Sequence, residues 1–110
     1  MKGFRFQPEI LRELAGITEL EGEYVSHATA LSLLGILNES CTVITVVTPR
    51  RRRNRSIGKF PLIFINHGSD RPAHIRQISA GDGKMNVSTL EQTLVDLFAD
   101  IEHAPPLTIL

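Results

Sequence analysis

Cys41-Thr42-Val43-Ile44-Thr45-Val46-Val47-Thr48, followed by Pro49 and the run Arg50-Arg51-Arg52-Arg53-Asn54-Arg55, decides how this chain is read. Seven of the first eight residues are Thr, Val or Ile, whose branched Cβ favours extended backbone. Apolar residues fall on both parities, so the pattern predicts a central strand with both faces covered. Pro49 cannot donate to a ladder and ends the pairing. A stiff strand should therefore deliver a dense positive charge to one edge of a small domain.

The charge is unevenly spread. Residues 1–49 carry three basic and six acidic side chains, a net −3. Residues 50–76 hold Arg50, Arg51, Arg52, Arg53, Arg55, Lys59, Arg71 and Arg76 against Asp70, a net +7. Residues 77–110 return to −4, so the chain is neutral overall. A cationic middle flanked by acidic ends suits a surface for something anionic, a nucleic acid or an acidic protein. The plain alternative is a solvated loop.

Outward from this stretch, the elements are ordinary. Pro8 and Glu9 suit the first turn of a helix over 8–15 that Gly16 should end. Ser26 reads as the N-cap of a second helix over 27–38, with Gly35 inside it and His27 on the surface. Tyr24, the only tyrosine, reads as packing against the start of that helix. Residues 50–59 read as a basic loop or a frayed strand extension, 62–65 as a strand and 67–72 as a turn. Residues 74–80 and 84–87 form a hairpin about Asp82-Gly83.

The last helix has the strongest signature. Ser88-Thr89-Leu90-Glu91 reads as a capping box. Leu90, Leu94, Leu97, Phe98 and Ile101 make one apolar stripe that should face the core. Asp96, off that stripe, is expected either to meet an arginine or to face water. The order predicts one α+β domain over 1–110, a mostly antiparallel sheet of three to five strands covered by two or three helices.

With 110 residues and no apolar run near the roughly 18 that span a bilayer, no membrane association is expected. Met1–Phe6 lacks a signal-peptide pattern, and the single Cys41, read as a buried thiol, fits a reducing compartment. A cytoplasmic location is expected.

Little points to chemistry. His27, His67, His74 and His103 share no metal-ligand spacing, and no nucleophile elbow, phosphate loop or paired-carboxylate motif occurs. No catalytic residue, metal or cofactor is expected. The rival reading is a metal-dependent nuclease-like subunit of a bacterial defence system using Asp70 or Asp82. The candidate contact residues are Arg50, Arg51, Arg52, Arg53, Arg55, Lys59, Arg71 and Arg76. No aromatic interleaves the arginines in sequence, so contacts to nucleic acid should be to the backbone rather than by base stacking.

Three segments together resemble AbiEi-like antitoxins of type IV toxin–antitoxin systems. Tyr24-Val25-Ser26-His27-Ala28 through Gly35 is similar to their tyrosine-x-serine, alanine-leucine, glycine pattern. Val47-Thr48-Pro49-Arg50-Arg51 is similar to their V-T-P-x-R run, and Val87 to Asp96 resembles a helix start in which Leu90 and Gln92 replace the usual proline and arginine. The resemblance covers about residues 24–98, the central module, without the N-terminal winged helix and the C-terminal extension. It implies a bacterial transcriptional regulator and antitoxin, non-enzymatic, whose partners are DNA and a nucleotidyltransferase-like toxin. It leaves the oligomeric state open.

Overall fold

Residues 8–19, 22–36, 43–66, 74–80 and 83–99 are described by a computed structural model. In chain order they form α1 (Pro8–Ile17), β1 (Tyr24–Val25), α2 (His27–Leu33), β2 (Ile44–Thr48), β3 (Arg55–Ile57), β4 (Phe60–Asn66), β5 (Ile75–Ala80), β6 (Gly83–Ser88) and α3 (Leu90–Ala99). The fold is α+β, as the element order predicts. The sheet is larger than expected: six strands in the order β3-β4-β2-β1-β6-β5. It is also mixed, because β1 pairs with β6 and β2 with β4 in parallel, while the other three pairings are antiparallel. The extra strands are short segments without a pattern of their own. Tyr24–Val25 is held between two neighbours, and Arg55–Ile57 is the first arm of a hairpin about Gly58, whose φ is +58°, with β4 as the return arm.

The core lies between α1 and one face of the sheet. Ile10, Leu14 and Ile17, at i, i+4 and i+7, pack on Val25, Ile44, Val46, Ile57, Leu62, Met85 and Val87. Gly16 does not end α1, which runs on to Ile17. The continuation brings Ile17 into the core, and Thr18 closes the turn by donating through both N and Oγ1 to the Leu14 carbonyl.

β2 is buried at every position, the central strand its composition predicts. It begins at Ile44; Cys41 and Thr42 lie outside the described residues. α2 is shorter than expected. Gly35, at φ +79°, ends it rather than sitting inside it. Ile36 N donates to the Leu31 carbonyl and Gly35 N to that of Ser32, the paired bonds of a Schellman motif. His27 is buried, not on the surface, and holds φ +60°, a backbone state costing a non-glycine residue on the order of 1–3 kcal/mol.

α3 is turned over relative to its sequence pattern. Leu90, Leu94, Val95 and Phe98 are exposed, Phe98 by 80%, while Gln92, Thr93, Asp96 and Leu97 are buried. The buried face is a polar network. Asp96 Oδ2 accepts from Tyr24 Oη and Ser26 Oγ at 2.8 Å each, and Oδ1 accepts from Gln92 Nε2 at 2.9 Å. Ser88 Oγ lies 2.6 Å from Thr93 Oγ1. These bonds link α3 to β1, to the start of α2 and to β6. The Asp96 carboxylate is thus buried within this network and is not exposed. Ser26 occupies the N-cap position of α2, but its hydroxyl serves Asp96 instead of the helix. Ser88 likewise does not cap α3: Thr89 Oγ1 accepts from Gln92 N at 3.2 Å, one residue later than the box predicts.

The turn expected at 67–72 and the segment 100–110, Ile101 of the apolar stripe included, lie outside the described residues. No helix among the described residues is long and apolar enough to cross a membrane.

Candidate anion-binding cleft

β2 and β4 are parallel and in register, Val46 opposite Phe64 and Thr48 opposite Asn66. Both strands therefore finish at the same end of the sheet. The chain leaves β2 at Pro49 and must cross the end of β4 to begin β3, which runs antiparallel beside it. Arg50–Asn54 is that crossing. Asn54 fastens its far end, its Oδ1 accepting from Phe64 N at 2.9 Å. Facing positions on paired strands project to one side of the sheet, so Thr48, Phe64 and Asn66 share the face that α1 covers further along.

The crossing arginines and these three residues enclose an open cleft of about 570 Å³, lined by Thr48, Arg50, Arg51, Arg52, Arg53, Phe64 and Asn66. Among the described residues one acid, Glu23, serves it from below. Glu23, fully buried just before β1, lies 2.6 Å through Oε1 from Arg52 Nη1. Its Oε2 accepts from Thr48 Oγ1 at 2.7 Å and lies 3.5 Å from Arg50 Nη1. Thr48 Oγ1 in turn accepts from Arg50 N at 3.0 Å. Arg52 Nη1 also reaches the Ile17 carbonyl at the C-terminal end of α1, where the helix dipole favours a cation. The Arg52 guanidinium stacks over the Phe64 ring, 4.5 Å from its centroid.

The arginines thus divide by role. Arg52, with only a quarter of its side chain exposed, is fixed by a carboxylate, a carbonyl and a ring. Arg50 shares the same carboxylate loosely and is 43% exposed. Arg51 and Arg53 are exposed and, among the described residues, form no ion pair. Among the described residues, four guanidinium charges meet one carboxylate at the cleft, a balance that favours an anion there.

The remaining sequence candidates lie elsewhere. Arg55, at the start of β3, sits 3.5 Å from Glu13 of α1, both half exposed, an ion pair of small energetic weight. Lys59 occupies the β3–β4 turn, roughly 20 Å along β4 from Asn66. Arg76 is on β5, the opposite sheet edge, four strand spacings or about 19 Å from β4. Arg71 lies outside the described residues, as do Asp70 and Asp82 of the nuclease alternative, and His67 and His103. Among the described residues no group of three His, Cys, Asp or Glu side chains could hold a metal ion.

Sequence reasoning missed Glu23 and Phe64. A lone glutamate before a two-residue strand carries no local signal, and Phe64 reads as one more core residue. Only the parallel register, which sets Phe64 beside Val46 and two residues short of the strand end, brings it under the arginines. No family model matches this chain, and neither does any curated protein or solved structure with which it was compared.

Proposed function

We propose that this chain is a non-enzymatic, antitoxin-like regulatory module that binds nucleic-acid backbone through the exposed arginines of the cleft. The carrying observation is the division of labour around Glu23. One arginine holds the crossing in place, and Arg51 and Arg53 are exposed and form no ion pair among the described residues. Guanidinium groups stay charged when partly dehydrated and can grip phosphate oxygens through two N–H groups at once. A rigid frame lowers the ordering cost of that contact. The resemblance of Tyr24–Gly35, Val47–Arg51 and Val87–Asp96 to AbiEi-like antitoxins supports a bacterial regulatory role, with a nucleotidyltransferase-like toxin as the protein it would counteract.

The backbone contact is tested by fluorescence anisotropy with labelled oligonucleotides at several salt concentrations. About two to three phosphate contacts should give a log–log slope of roughly −2 to −3. The double variant Arg51→Ala/Arg53→Ala should flatten it. Affinity independent of salt, or unchanged in the double variant, overturns the proposal. The antitoxin role is tested by co-expression with a nucleotidyltransferase-like protein from a neighbouring reading frame. Growth that is not restored removes that part of the reading.

A further inference from the structure

The cleft has a floor as well as a rim, and the two differ in chemistry. Arg51 and Arg53 are exposed on the crossing, whereas Arg52 and the half-buried Phe64 ring are recessed and stacked on one another. Arg52 is poorly placed to serve as a phosphate ligand. Swinging it outward would strip the fully buried Glu23 of its 2.6 Å partner. What it offers instead is a fixed, flat, cationic surface, a form of side chain on which nucleobases stack. A duplex cannot use such a floor, since its bases are stacked within the helix and it meets a protein surface phosphates first. Nor do the other described candidates extend the rim into a duplex-length track: Lys59 and Arg76 stand about 20 Å away, and Arg55 is paired with Glu13. The volume, about 570 Å³, falls in the range of sites that enclose a small-molecule-sized group.

We infer that the cleft takes one unpaired nucleotide of a single-stranded nucleic acid, its base against the Arg52–Phe64 stack and its flanking phosphates on Arg51 and Arg53. This rests on the backbone-binding reading above and narrows it to single strands. Arg51 and Arg53 supply the salt-dependent, sequence-blind part of the affinity, and the recessed pair supplies the preference for an unpaired base.

The test is anisotropy at one fixed salt concentration with the full chain and four probes of equal length: oligothymidylate, the same strand with abasic sites, a duplex, and oligoglutamate. Oligothymidylate is expected to bind about ten-fold tighter than either the abasic strand or the duplex, the size of effect that base stacking on a side chain gives. Phe64→Leu, checked for folding by circular dichroism, should bring oligothymidylate down to the abasic value and leave the abasic strand unchanged. An abasic strand or duplex that binds the wild-type chain as tightly as oligothymidylate overturns the single-strand inference while leaving backbone binding intact. The abasic comparison uses only the wild-type chain, so its outcome does not depend on the variant's folding. Oligoglutamate binding as tightly as oligothymidylate, or no binding of any oligonucleotide, overturns both readings.

Discussion

Arg52 Nη1 lies 2.6 Å from Oε1 of the fully buried Glu23, and the same guanidinium stacks 4.5 Å over Phe64. The pair ties the arginine crossing to the strand before which Glu23 sits. Removing one member of a buried charge pair costs more than the pair contributes, because the other charge is left desolvated. Glu23→Ala is expected to lower unfolding free energy by about 3 kcal/mol, near the lower end for such pairs because Arg52 is partly exposed. Arg52→Lys should cost about 1–2 kcal/mol, since an ammonium keeps the charge but loses the flat stack and the directed N–H fork. Urea denaturation of the two variants checks both, and equal stability of Glu23→Ala and wild type would refute the scaffold role.

The inverted α3 gives a contrast that no propensity scale would suggest. Asp96→Ala leaves Tyr24 Oη, Ser26 Oγ and Gln92 Nε2 without their shared acceptor in a buried site, and is expected to cost about 3 kcal/mol or more. Phe98→Ser changes a side chain that is 80% exposed and should alter stability by no more than about 0.5 kcal/mol. The reverse ranking in thermal or urea unfolding would mean that the apolar stripe packs inward after all.

Thr89, not Ser88 with Glu91, holds the first turn of α3 through the Gln92 N–H. Thr89→Ala should cost about 1 kcal/mol. Glu91→Ala, at an exposed position, loses only its interaction with the helix dipole, about 0.3–1 kcal/mol at low salt and less at high salt. Comparing the two at low and high ionic strength separates a cap from a screened charge: the Thr89→Ala deficit should persist in salt and that of Glu91→Ala should shrink.

Gly22 adopts φ +86°, and a Cβ placed there would come within 3.0 Å of Pro49 Cγ. It therefore permits the close approach of the segment before Glu23 to the residue that launches the arginine crossing. Gly22→Ala combines a left-handed backbone with a steric contact and is expected to destabilise by on the order of 1–3 kcal/mol. Gly35, at a similar φ of +79° but with open space around it, should lose only the conformational part, about 1 kcal/mol on substitution by alanine. If the two substitutions cost the same by denaturant titration, the Pro49 contact contributes nothing.

Composition and pattern by themselves determined the elements that carry their signal locally. The β-branched run over 44–48 had to be a buried strand, Pro8 had to open a helix, and 74–80 and 84–87 had to pair as a hairpin, although Gly83, expected in the turn, is the first residue of β6 and pairs with Ala80. These followed because backbone preference and turn chemistry act over a few residues, whatever surrounds them. The positive charge of the arginine run was equally plain. Tertiary pairing alone decided the rest. β1 and β3 exist because neighbouring strands supply their hydrogen-bond partners. α3 buries Asp96 rather than Phe98 because Tyr24, Ser26 and Gln92 converge on that carboxylate from separate parts of the chain, and periodicity cannot tell which face of a helix meets such a network. The cleft exists because a parallel register brings Phe64 under a crossing whose third arginine is held by Glu23, twenty-nine residues away in sequence.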